Sequence, residues 1–224
     1  MITGAAGNLG RAVARAFAGE RLVLVGQHRD GLSAAFGADA PAQLLVEANL
    51  LEQEQANRAV QAAVDRFGRL DVLCNLAGGF RMGEAVHETS DATWSFLFDL
   101  NARTLLHAVR AAVPRMLERG SGKVVNVGAF GALKGGAQMG AYAASKAVVI
   151  RLTEAMAAEL RERGINVNCV LPTVIDTPEN RRAMPQADPA KWVAPDDLAA
   201  VVHFLASDAA RAIHGAALPV TGLS

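Results

Sequence analysis

The sequence predicts an α/β protein, a doubly wound parallel sheet forming one domain over residues 1–224. Three observations predict it. Strand-like apolar runs alternate with helical ones from end to end, the pattern of right-handed βαβ units whose strands are covered on both faces. A Gly-rich turn, Gly4 to Gly10, leads from apolar Met1 and Ile2 into the helical stretch RAVARAFA. The chain has 224 residues, 51% of them hydrophobic, which is enough for one well-cored domain and short for two.

The elements follow in order. A buried parallel strand usually takes about five residues, and only Met1 and Ile2 precede the Gly-rich turn, so the chain is expected to start inside its first strand. Further strands are expected at RLVLV, QLLVEA, LDVLC, KVVNV, INVNCVLP and a short final ALPV. Between them, Ala56, Ala59, Val60, Ala63, Val64 and Phe67 recur at helical spacing and mark one buried face. A long helical pair is expected from Asp91 to Glu118, with Pro114 a candidate kink. The helix carrying Tyr142 should run to about Arg163 and stop at Gly164. Pro172 to Pro195 is rich in Pro, charge and Met without a period, which predicts a long loop that orders as a lid over a site. Asp196 and Asp197 after Pro195 suit a first helical turn.

Composition narrows the function. Lys+Arg and Asp+Glu both number 22, with no run of like charge, so nothing suggests a nucleic-acid or membrane surface, and a small-molecule substrate fits better. Cys74 and Cys169 lie in apolar strand-like runs, which reads as buried free thiols of a cytoplasmic protein. No stretch has the length of a membrane span, and MITGAAG has no signal-peptide regions. His28, His87, His107, His203 and His214 show no metal-ligand spacing, so no metal is expected, and no GxSxG elbow supports a hydrolase.

Chemistry concentrates in two places. Tyr142, the only Tyr, and Lys146, one of four Lys, stand four apart on a helix-forming stretch and share a face. A cation about 4 Å from a phenol could lower its pKa by a few units and ready it for proton exchange near neutral pH. In isolation such a pair is more often a core Tyr beside a solvated Lys. The N-terminal turn shifts the balance. Gly4, Asn8, Leu9 and Gly10 sit in the strand-turn-helix context that lets a backbone approach a pyrophosphate at a helix N-terminus.

Taken together, TGAAGNLG, the NLAG of Asn75 to Gly78, Asn101 in FDLNA, Tyr142 with Lys146, and LPTVIDT of Leu171 to Thr177 resemble the short-chain dehydrogenase/reductase family over nearly the whole chain. The resemblance implies a Rossmann-type fold and an NAD(P)H-dependent oxidoreductase. It makes Tyr142 the proton donor or acceptor, Lys146 the group that holds the nicotinamide ribose and tunes Tyr142, and Asn101 the support of a water relay. Asn75, Ala77 and Gly78 would flank the cofactor. Pro172, Ile175 and Thr177 would meet its carboxamide and pyrophosphate, and Asn49 with Leu50 its adenine. It also implies a homo-oligomer, tetramer or dimer, built from helices at 101–119 and 142–163.

The departures are informative. The family usually has a Ser thirteen residues before the Tyr to donate to the substrate oxygen, and this chain has Ala129. Losing an oxyanion donor typically costs about 10²- to 10³-fold in rate. Residues 172 to 191, CNLAGGF and the missing Ser are similar to the dihydropteridine reductase branch, whose quinonoid substrates form no localised alkoxide. The readings kept open are therefore reduction of a quinonoid or conjugated substrate, an ordinary carbonyl reductase with a substitute donor such as Gln138, and a non-catalytic dinucleotide-binding protein. As to the cofactor, the acid that NAD enzymes carry after the second strand is absent: the chain reads VLVGQHRD. Gln27, His28 and Arg29 could meet a 2′-phosphate, which favours NADP(H), while an Arg on a solvated turn would leave NAD(H) possible.

Overall fold

The computed structural model describes residues 1–223. Seven strands, β1 (Ile2–Thr3), β2 (Leu22–Gly26), β3 (Gln43–Glu47), β4 (Val72–Asn75), β5 (Gly122–Val127), β6 (Ile165–Pro172) and β7 (Ala217–Val220), form one sheet in the order β3-β2-β1-β4-β5-β6-β7. Every pairing is parallel. The chain runs outward from β1 to β3, then returns to place β4 on the other side of β1. That reversal opens a crevice above the carboxyl ends of β1 and β4.

Both faces of the sheet are covered because the strands are apolar on both sides. In β2, Val23 and Val25 face the core shared with α3 (Gln53–Phe67), α5 (Thr104–Arg119) and α6 (Gly140–Leu160), while Leu24 faces α1 (Asn8–Ala16) and α8 (Pro195–Ala206). On α3 the expected face is present: Ala56, Ala59, Val60 and Ala63 are buried, with Val64 and Phe67 at its margin. Strand β6 carries two buried asparagines among its apolar residues. Asn166 donates to the carbonyls of Arg211 and Ile213 (both 3.0 Å), and Asn168 donates to Ile213 (2.8 Å) and accepts from Ala216 N–H (3.0 Å). These bonds pin the segment that leads into β7.

Strand β1 has two paired residues, and the Met1 amine is buried against the Val72 carbonyl at 2.7 Å. A cavity of about 650 Å³ lies beside it at the amino end of the strands, lined by Phe17, Leu22, Leu70 and Val72 and by none of the expected site residues.

Two expectations are corrected. The helical pair from Asp91 is one nearly unbroken run: α4 (Asp91–Phe98) passes through a π-helical segment, Asp99–Arg103, into α5, which continues past Pro114. The Pro172–Pro195 segment is not a plain loop. It holds α7 (Pro178–Ala183) and a 3₁₀ turn at Pro189–Lys191, and Ile175 pairs with Val193. Thr177 caps α7 by accepting the Asn180 N–H at 3.2 Å, and Pro178 occupies the first turn. Six residues are too few for a helical period to stand out.

Helix α6 ends as expected. A 3₁₀ turn at Arg161–Arg163 leads to Gly164 at φ +76°, where a Cβ would lie 2.1 Å from the Gly120 carbonyl oxygen. Gly164→Ala should therefore lower the unfolding free energy by about 2 kcal/mol or more. Urea unfolding checks this, and a loss under about 0.5 kcal/mol would contradict it.

Candidate active site

The crevice between β1 and β4 is a groove of about 460 Å³. Of the residues expected to bind a cofactor, it is lined by Gly4, Asn8, Leu9, Gly10, Gln27, Asn49, Leu50, Ala77, Gly78 and Thr177. Gly7, Gly26, Ala48, Leu76, Leu100 and Thr104 also face it. Two glycines explain its shape. At Gly4, φ +63°, a Cβ would lie 3.0 Å from the Ala77 backbone. At Gly10 it would lie 2.4 Å from the carbonyl oxygens of Gly4 and Ala5, so α1 starts tight against the turn. Thr3 holds the opposite wall, its hydroxyl accepting the Leu76 and Ala77 N–H groups at 3.0 and 3.2 Å. The bare backbone and the free end of α1 fit a dinucleotide pyrophosphate.

Beyond Gly78 lie the chemical groups. A Cβ there would be 2.9 Å from Oδ1 of Asn101 and 3.1 Å from Nζ of Lys146. The π-helical turn presents Asn101 to this spot. Its Oδ1 accepts the Gly79 N–H (2.9 Å), and its Nδ2 donates to the Gly79 carbonyl and the Ser145 hydroxyl (3.0 Å each). Ser145 in turn donates to the Tyr142 carbonyl at 2.8 Å. One side chain thus fixes the β4 loop against α6. Ser145 is not legible in the sequence, because a small polar residue on a helix carries no pattern of its own.

Lys146 is buried, 6% exposed, and its one hydrogen bond among the described residues goes to the Val127 carbonyl at 3.0 Å. Burial pulls its ammonium down to about 8, with Cys169 nearby acting weakly the other way. Burial pushes the Tyr142 phenol up to about 12. The expected lowering of Tyr142 by Lys146 is absent in this state: desolvation is the one influence on the phenol, and Nζ is turned to the Val127 carbonyl. The Phe80 ring stands edge-on to Tyr142, centroids 4.8 Å apart at 82°. Phe80 and Val86 expose apolar surface at this end, Val86 against Gly140. Ala129 lies two residues past Val127, buried and extended. Gln138 is exposed at φ +59°, and its carbonyl accepts the Gly83 N–H at 2.9 Å.

Other expected residues fall outside the groove wall. Asn75 is buried behind it, donating to Asn126 at 2.9 Å, which donates to Thr153 at 2.9 Å. Pro172 ends β6, and Ile175 sits above it with its carbonyl held by Asn180 Nδ2 at 2.8 Å. His28 is exposed, preceding α2 (Arg29–Phe36). Arg29 departs from expectation. Its guanidinium folds away to Asp39 Oδ2 (2.9 Å) and the Leu45 carbonyl. Helix α7 is fastened over the Gly-rich turn by Asn8 Nδ2 donating to Glu179 Oε2 at 2.7 Å. Among the described residues, no group of three or more His, Cys, Asp or Glu converges to hold a metal, and no helix is long and apolar enough to cross a membrane.

Known proteins resemble this chain in sequence and fold. The family model described as Enoyl-(Acyl carrier protein) reductase matches residues 4–222. The D-threitol dehydrogenase of Mycolicibacterium smegmatis is 35% identical over 236 residues, covering 99% of this chain and 90% of that one. The 3-ketoacyl-(acyl-carrier-protein) reductase from Brucella melitensis complexed with NADH superposes with a TM-score of 0.88 at 29% identity, over 99% of this chain and 95% of that one. ElxO with NADP bound has the same fold, TM-score 0.89 at 23% identity, over 99% and 96%.

The buried ammonium makes a stability prediction. A lysine whose folded pKa lies below its unfolded one costs stability most below pH 8, and the cost fades as pH rises toward 10.5. Lys146→Met should stabilise the protein at pH 7 by on the order of 3 kcal/mol at most. The gain should shrink toward zero at pH 10. Urea unfolding of both proteins at the two pH values checks it, and an equal effect at both would contradict it.

Proposed function

Because the chain belongs to the short-chain dehydrogenase/reductase family and is an NAD(P)-dependent oxidoreductase, we propose that Tyr142 passes the proton while Lys146 and Asn101 support it. The observation that carries this reading is Lys146. An ammonium buried with one hydrogen-bond partner among the described residues has two spare donors beside a glycine-lined groove, an arrangement that costs stability. A ribose diol offers the acceptors those donors lack. When bound, the dinucleotide supplies or accepts the hydride.

The chain's own groups do the rest. Tyr142, held protonated by burial, is a proton donor at neutral pH, which suits reduction. Asn101 locks the Gly79 loop and Ser145, and so fixes Tyr142 by its own backbone carbonyl. Ala129 brings a methyl to the position of the family's Ser, and Phe80 brings an aromatic edge beside Tyr142. These features favour a quinonoid or conjugated small-molecule substrate, in which no localised alkoxide needs a donor. Use of NADP(H) would rest on Gln27 and His28, since Arg29 is engaged elsewhere. Exposed Trp94 and Phe96 on α4 support a homo-oligomer, tetramer or dimer. Buried thiols Cys74 and Cys169, both pushed up to about 11, suit a reducing cytoplasm.

Ala129→Ser tests the substrate class. On a quinonoid substrate its rate should change little, whereas on simple ketones a gain approaching 10²-fold would replace this reading with a weakened carbonyl reductase. Tyr142→Phe should abolish turnover in either background. Turnover that survives it would remove Tyr142 from the proton path.

A further inference from the structure

We infer that Glu47, reaching across from β3, selects the unphosphorylated dinucleotide NAD(H), and that Asp39 withholds from NADP(H) the cation it would need. The inference rests on the dinucleotide reading of the groove. The adenosine end of such a ligand lies over the carboxyl ends of β2 and β3. Here those ends are Gly26 and Gln27 on one strand and Ala48, Asn49 and Leu50 next to the other.

Strand β2 has no acid to offer a ribose 2′-hydroxyl. Its last residue is Gly26, where even a Cβ would come within 3.0 Å of Leu32 Cγ. The neighbouring strand compensates. Gly26 pairs in register with Glu47, so both point to the same face, about 4.8 Å apart. A Glu is long enough to cover part of that gap. Its Oε2 accepts the Arg29 N–H at 3.0 Å, which brings a carboxylate to the first turn of α2, where β2 delivers the chain. A 2′-hydroxyl could donate to that carboxylate. A 2′-phosphate would face it charge to charge and would find the first-turn N–H already taken.

The cation that could offset this is committed. Arg29 gives one guanidinium nitrogen to Asp39 Oδ2 at 2.9 Å and another to the Leu45 carbonyl. Asp39 is itself fixed, its Oδ1 accepting the Leu45 N–H at 2.7 Å. Arg66, the other guanidinium near Asp39, donates to the Ala40 carbonyl at 3.1 Å. Asp30 adds a further acid to the first turn of α2, and His28 precedes it. Glu47 and Asp30 thus put two acids at the first turn of α2, just past the end of β2.

Fluorescence titration of the full-length protein with NADH and with NADPH tests this, on wild type, Glu47→Gln and Asp39→Asn. Glutamine keeps an acceptor for the Arg29 N–H and removes only the charge, and a thermal melt checks that each variant is folded. Wild type should bind NADH at least about tenfold more tightly than NADPH. Glu47→Gln should shrink that ratio about tenfold, with a smaller effect in high salt. Asp39→Asn should release Arg29 and tighten NADPH while leaving NADH unchanged. Wild type that prefers NADPH, or a ratio unmoved in Glu47→Gln, would overturn the inference. Binding of neither coenzyme would fail differently, removing the dinucleotide reading of the groove and this assignment with it.

Discussion

The burial of the Lys146 ammonium is the constraint around which the site is arranged. A cation taken out of water needs compensation, and the protein supplies one carbonyl, that of Val127 at the end of β5. That bond joins α6 to the end of β5, and Tyr142 stands one turn earlier on the same helix. It also requires the residue above Nζ to be bare, since any side chain at Gly78 would collide with Lys146 and Asn101 together. The depressed lysine and the raised tyrosine share one cause, desolvation. Two groups moved that way by a dry site are poised to respond when polar ligand groups enter it.

The groove follows from a second constraint, the close approach of backbones at the sheet's reversal point. Gly4 nearly touches Ala77 across the crevice, Gly10 brings α1 down onto the turn, and Thr3 ties the β4 loop back to β1. The result is a floor of main-chain atoms under the free N-terminus of a helix, the surface a pyrophosphate needs. Above it, Asn8 and Glu179 join the floor to α7. Glu179's own backbone N–H, with Asn8 adding, holds its carboxyl below the usual range. A carboxylate beside this turn stands close to where a bound phosphate would lie.

Much of this was legible in the sequence, for physical reasons that differ by element. Strands of this sheet are buried on both faces, so VLCN and KVVNV stand out as apolar runs without needing alternation, and the α3 face repeats often enough to be counted. The glycine turn and the Tyr142–Lys146 pair are local patterns, readable because their spacing is itself the chemistry. What escaped was non-local or too short. Helix α7 is a six-residue element announced by a Thr cap and Pro178, signals that the surrounding prolines and charges hid. The π-helical turn at Asn101 leaves no mark on periodicity over five residues. The direction of Arg29 at the start of α2 is not legible locally, because Asp39 lies ten residues on and meets it only once β3 has paired. Asn75 and Asn126 likewise find each other across strands, 51 residues apart.

On the proposed mechanism, Lys146 is held poor in partners until a dinucleotide supplies them. Nuclear magnetic resonance titration of selectively labelled lysine side chains, assigned with Lys146→Met, measures this directly. One lysine should titrate near 8 in the free protein and move upward on saturation with dinucleotide, while dinucleotide leaves the other three unmoved. A Lys146 that titrates near the ordinary value of about 10.4 in the free protein, or that does not respond to the dinucleotide, would contradict it.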